Sequence, residues 1–187
     1  DINKAVALVE EISPHIGGIK LGLEFFTSCG FLGLEKIRKL EIPIFIDLKL
    51  YDIPNTVKKA LSNILQFQPK YTTLHLSGGT EMLIECVNLK KELNSRTKLI
   101  GVTMLTSFND TLISEIGIEK SVNENVKQLT QLAVNCDMDG IVCSPLEISA
   151  VKNTHGEKLK IVSPGIRAKE NSPNDQKRTL SAKEAID

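Results

Sequence analysis

The sequence has no tryptophan and only two tyrosines and six phenylalanines, 4% aromatic in all. So thin an aromatic supply leaves no platform on which nucleic-acid bases could stack. An excess of one charge sign is lacking too. Twenty-three basic residues face 23 acidic ones, which excludes the electrostatic footprint of a non-specific nucleic-acid or membrane surface. No apolar run approaches ~20 residues, and the opening residues carry no signal-peptide pattern. The four cysteines (Cys29, Cys86, Cys136, Cys143) form no Cys-x-x-Cys pair and have no metal-finger spacing. They are expected to be buried, reduced thiols of a cytoplasmic protein. With 187 residues, 41% hydrophobic and 25% charged, the chain reads as one ordinary globular domain with a substantial core.

What is present is alternation. Residues 2–12 read as a helix with Ile2, Val6, Val9 and Ile12 on one stripe, ended by Ser13-Pro14. Residues 19–26 alternate as a strand, with Lys20, Gly22 and Glu24 sharing a face, and a helix is expected over 31–41. The unit then repeats: strands at 44–51, 71–77, 98–104, 140–144 and 159–163, helices at 54–67, 80–94, 123–135 and 145–153. A longer connection separates the strand at 98–104 from the helix at 123–135. A polar segment, 168–179, composed like a flexible loop and placed like a lid, leads to a helix start at Ser181.

Strictly alternating strands and helices with apolar strands imply a parallel sheet. Six visible strands are two short of a closed (β/α)8 TIM barrel, and ~200 residues is near the lower limit for that fold. The expectation is a single α/β barrel domain over 1–187, truncated at both ends, without strands one and eight. A six-stranded doubly wound sheet is the alternative.

Residues 43–56, Pro-Ile-Phe-Ile-Asp-Leu-Lys-Leu-Tyr-Asp-Ile-Pro-Asn-Thr, are where charge breaks the apolar pattern. Ile44, Ile46, Leu48 and Leu50 fall on one side of a strand, Phe45, Asp47, Lys49 and Tyr51 on the other. Both faces begin apolar, as in a strand buried on both sides. Asp47 and Lys49 then appear at its C-terminal end, followed by Asp52 and by Pro54, which fits a helix's first turn. Desolvating each charge costs several kcal/mol, so none stands there without partners. A structural ion pair between Asp47 and Lys49 is one reading. An active site is the other, because that edge of parallel α/β folds is where active sites lie.

Asp47-x-Lys49-x-x-Asp52-Ile53-Pro54-Asn55-Thr56 resembles the signature of the orotidine 5′-phosphate decarboxylases. Asp-x-Lys-x-x-Asp alone is shared with a wider set of phosphate-binding barrels; the Ile-Pro-Asn-Thr continuation makes the match specific. Ile19-Lys20-Leu21-Gly22 is similar to that family's second-strand lysine motif. Thr103-x-x-Thr106 looks like its fifth-strand segment, whose hydroxyl touches the pyrimidine; by itself Thr106 reads as a turn cap, and the resemblance favours the substrate contact. Pro164-Gly165-Ile166-Arg167, with Asp175-Gln176 downstream, is similar to the seventh-strand loop that closes over the phosphate. Each motif alone is weak, but the order of all of them along the chain is specific. The aspartate that ends the family's first strand and the Gly-Arg pair that ends its eighth have no match.

The resemblance implies decarboxylation of orotidine 5′-monophosphate to uridine 5′-monophosphate, without cofactor or metal, in a cytoplasmic homodimer with shared active sites. Its implied catalytic residues are Lys49, Asp47, Asp52 and Lys20, an alternating chain of charges in which opposite neighbours favour the charged forms. Its implied substrate contacts are Ile53, Asn55, Thr56, Thr106, Pro164, Arg167 and Gln176. Asp52 and Thr56 are expected to reach the partner's site. His75 is expected to be a core or supporting histidine; His15 and His155 read as solvated turn residues. Two rivals stay open. One is a metal-dependent sugar-phosphate decarboxylase or aldolase on the same barrel; the other is a barrel that binds a nucleotide without catalysis.

Overall fold

The structure, a computed structural model, describes residues 1–166. Its strands are β1 (Ile19–Gly22), β2 (Ile44–Leu50), β3 (Tyr71–His75), β4 (Lys98–Val102), β5 (Gly140–Val142) and β6 (Lys160–Val162). Between and before them lie α1 (Ile2–Ile12), α2 (Leu23–Arg38), α3 (Pro54–Leu65), α4 (Gly79–Glu92), α5 (Asp110–Glu115), α6 (Val122–Asn135) and α7 (Ile148–His155). All neighbouring strands are parallel and their spatial order is their chain order. A doubly wound sheet reverses its order at a switch point. This sheet never does, so that alternative falls. Lys20 of one edge strand and Val162 of the other line the same cleft, so the sheet curls as successive units of a barrel.

Local chemistry sets the helix ends. Asp1 caps α1 by accepting from Asn3 N–H at 2.8 Å. Pro54 occupies the first turn of α3, and Ser121 and Glu124 form a reciprocal capping box on α6. The core lies between sheet and helices: Leu61, Leu74, Leu76, Leu99 and Ile141 in one cluster, Val9, Leu34, Ile37 and Ile46 in another. Each fully buried side chain of this size contributes about 1.5–3 kcal/mol. Among the described residues no helix is long and apolar enough to cross a membrane.

Two sequence expectations need correction. The strand expected over 19–26 ends at Gly22, and the helix expected from 31 begins at Leu23. Gly22 is extended and serves as its N-cap, and Glu24 complements the positive helix start. Gly30, at φ +55°, then interrupts the helical geometry, so the regular pattern becomes readable only after it. The long connection after β4 also contains α5, capped by Asn109 through Leu112 N–H at 2.9 Å. The polar segment 168–179 and the helix start at Ser181 lie outside the described residues.

Candidate active site

The cleft at the C-terminal ends of the strands has a volume of about 630 Å³. Lys20 comes from β1 and Phe45, Asp47 and Lys49 come from β2. The loop from Met104 to Ser107 after β4, and Ser163, Pro164 and Gly165 after β6, complete its wall with Val102, Val142 and Val162.

β2 does not keep its alternation to the end. Ile46 pairs with Thr72 and Leu50 with Leu74, so β2 advances four residues while β3 advances two. The surplus of two residues is an irregular bulge, and within it Lys49 adopts φ +50°. A non-glycine residue pays strain for that backbone, which persists only where its surroundings enforce it. The enforcing contact is visible. Lys49 N–H donates to Thr73 Oγ1 at 2.8 Å, and Thr73 Oγ1 donates to Asp47 Oδ1 at 3.0 Å.

Asp47 is the hub, 7% exposed. Lys20 Nζ reaches its Oδ2 at 3.0 Å, and Lys49 Nζ reaches both carboxylate oxygens at 3.0 Å. Burial pushes the Asp47 carboxyl up, but hydrogen bonds and charge from Lys20 and Lys49 outweigh it and hold the group below its ordinary value. His75, at the end of β3, is pushed down by burial and then by the Lys49 charge, so it is a neutral imidazole near pH 7. Its Nδ1 is buried with no hydrogen-bond partner among the described residues, and its ring lies 5.4 Å from that of Tyr51.

Of the expected site residues, Lys20, Asp47, Lys49, Thr106 and Pro164 converge on the cleft. Asp52, Ile53, Asn55 and Thr56 do not line it; all four are exposed at the start of α3. Asp52, expected to reach the partner's site, stands apart from the Lys20, Asp47 and Lys49 cluster of its own chain. Among the described residues it makes no ion pair with Lys49, and its carboxylate accepts its neighbour's Ile53 N–H at 2.7 Å. Arg167 and Gln176 lie outside the described residues. Thr73 was not singled out as a site residue, because its role depends on a cross-strand register that the sequence does not print.

A second, partly buried ion cluster invites comparison. Asp139 binds Lys90, Lys98 Nζ at 2.9 Å and Leu99 N–H at 2.9 Å. It sits where β4 and β5 begin, the stabilising rather than the catalytic end of a barrel. Among the described residues no three His, Cys, Asp or Glu side chains come together as a metal-holding group.

Comparison with known proteins gives this chain a family. The family model described as "Orotidine 5′-phosphate decarboxylase / HUMPS family" matches residues 1–187. An orotidine 5′-phosphate decarboxylase of Wolbachia pipientis subsp. Culex pipiens is 42% identical over 186 residues, covering 100% of this chain and 81% of the relative. One from Ehrlichia chaffeensis is 45% identical over 187 residues, covering 100% and 80%. The crystal structure of the Lactobacillus acidophilus decarboxylase superposes with a TM-score of 0.74 at 32% identity, covering 86% of this chain and 76% of that one.

Proposed function

The chain belongs to the orotidine 5′-phosphate decarboxylase / HUMPS family, and from that premise we propose how its cleft carries out the reaction. The reaction is decarboxylation of orotidine 5′-monophosphate to uridine 5′-monophosphate, in pyrimidine nucleotide synthesis. Breaking the bond between C6 and its carboxylate leaves an electron pair in the plane of the pyrimidine, where the ring π-system cannot take it up. The protein must therefore supply electrostatic stabilisation and a proton.

Lys49 is the proton donor. Its ammonium gives one proton to C6 as carbon dioxide departs, and the resulting neutral amine regains a proton from water. The observation that carries this reading is the position of Lys49 Nζ, 3.0 Å from both oxygens of a buried carboxylate at the cleft wall. Asp47 holds the ammonium in place and Lys20 completes the counter-charge.

Two ammoniums against one carboxylate leave the triad with one positive charge in excess. Stress from Asp47 alone on a substrate carboxylate at 4 Å would be about 4 kcal/mol at an effective dielectric of 20. That is about three decades of rate if fully relieved. With both lysines bound to Asp47, their charge counters that repulsion, so stabilisation of the developing carbanion ranks above stress from Asp47. Thr106 fits the pyrimidine contact and Pro164 the wall beside it, while Arg167 and Gln176 are assigned to the phosphate.

The four exposed residues at the start of α3 favour a two-fold dimer in which Asp52 and Thr56 complete the partner's site. Ile53 and Asn55 are assigned to the same shared mouth. A two-fold contact places one segment on both subunits, as this requires. A cytoplasmic location fits the four free thiols, three of them buried.

The test is Lys49→Ala in the intact enzyme, assayed for orotidine 5′-monophosphate turnover with and without a chelator. Turnover is expected to vanish in the variant and to be indifferent to the chelator in the wild type. Substantial turnover by folded Lys49→Ala removes the assignment, and chelator-sensitive wild-type activity favours the metal-dependent rival.

A further inference from the structure

Thr73 is 0% exposed, sits in the middle of β3, and belongs to no charge cluster. Its hydroxyl accepts one hydrogen bond and donates its single proton, and both bonds go to the site. It accepts the backbone N–H of Lys49 at 2.8 Å and donates to Asp47 Oδ1 at 3.0 Å. The bulge explains why the first bond exists. Once β2 runs two residues ahead of β3, the Lys49 N–H no longer meets a strand carbonyl, and a side chain from β3 takes the carbonyl's place.

We propose that Thr73 is a positioning residue for the decarboxylation, setting both the left-handed turn that aims Lys49 and the carboxylate oxygen that receives its ammonium. The inference rests on Lys49 as proton donor. Asp47 Oδ1 is approached by Thr73 and Lys49 together, while Oδ2 is shared by Lys20 and Lys49. Rotation of the carboxylate would break one set or the other, so the hydroxyl locks the orientation that both lysines use. Without it, the Lys49 backbone has no anchor in its strained region, and relaxation carries Nζ away from the position from which it reaches C6.

Thr73→Val keeps the shape and removes the hydroxyl; Thr73→Ser keeps the hydroxyl. Both are compared with wild type in the intact enzyme by kcat, KM, affinity for uridine 5′-monophosphate and thermal unfolding. A displacement of about 1 Å at a reacting group costs on the order of 10²-fold in rate, so kcat of Thr73→Val is expected to fall by about that factor. KM and product affinity should stay within about threefold, because ground-state binding is not what the hydroxyl serves. Thr73→Ser should keep kcat within about threefold of wild type. Thr73→Ala carries the same expectation should the valine variant not fold.

Wild-type kcat in a folded Val or Ala variant, with Lys49→Ala inactive, overturns the proposal and leaves the proton donor standing. Equal loss in the Ser and Val variants overturns it too, since the hydroxyl would then not matter. If neither hydroxyl-free variant folds, the residue serves the fold and the proposal fails. Turnover by Lys49→Ala instead fails the underlying assignment, and this inference with it.

Discussion

Three polar side chains in the core edge of this barrel, Asp47, Thr73 and His75, each have a different settlement with burial. Asp47 is compensated by two cations, Thr73 by two hydrogen bonds, and His75 by giving up its charge. The first and last settlements respond to acid in different pH ranges. The folded state lowers the proton affinity of His75 below the ordinary 6.5, so the unfolded chain binds a proton first. Its contribution to stability is therefore complete above about pH 6.5 and is lost progressively as pH falls toward the depressed folded value. Asp47 behaves likewise one step lower, its contribution present above the ordinary carboxylate range and lost below it. Urea unfolding at pH 7 and pH 5.5 should show wild type losing stability across that interval and His75→Gln losing less. Parallel losses in the two proteins would place the acid sensitivity elsewhere.

At the scale of elements, the turns from helix back to strand share one device. Glu41, Gln68, Asn94 and Asp137 have φ between +48° and +58°, and Gly156 is at +59°. Each follows the end of a helix and precedes the next strand. Only one of the five is glycine. Left-handed backbone costs a non-glycine residue about 1–2 kcal/mol, while glycine costs about 0.4–1 kcal/mol through the unfolded chain. Strain is the larger effect, so exposed Gln68→Gly is expected to stabilise the protein by about 0.5–1 kcal/mol, read as a higher denaturant midpoint. No change or a loss would show that the side chain at Gln68 compensates for its backbone. Lys49 shares the dihedral but not the setting: it lies within a strand, and its strain is held for the site.

The same scale shows what a sequence discloses. The charges of 43–56 are close in sequence and stand out against apolar neighbours, so Asp47 and Lys49 were legible as a site. The strand and helix content was legible wherever the apolar period was unbroken. α2 was not, because Gly30 breaks its geometry, and strand-like alternation across 19–26 runs through its first turn. Thr73 was illegible for a deeper reason. It acts across 24 and 26 residues of chain, through a bulge that only the paired strands define.

For the molecule as a whole, the shared-mouth reading makes a quantitative statement. Inactive Lys49→Ala and Asp52→Ala proteins can be mixed under conditions that exchange subunits. Each mixed dimer then holds one site with both lesions and one with neither. Activity should return toward about a quarter of wild type, given random exchange and independent sites. Confirmed exchange with no recovery would place Asp52 in its own chain's site.

The unbroken strand order has a consequence for how such a chain is made. Ile19 pairs with Ile44, Phe45 with Tyr71, Tyr71 with Lys98, Ile100 with Gly140 and Gly140 with Lys160. The partners are 25, 26, 27, 40 and 20 residues apart, always with the earlier one already synthesised. Doubling a loop adds only about 0.6 kcal/mol of closure cost, so even the step of 40 is not a special obstacle. On a ribosome that releases the amino terminus first, each emerging strand finds a prepared edge to dock on. The sheet can grow in the direction of translation, and every described strand after β1 meets a preceding neighbour that is already made.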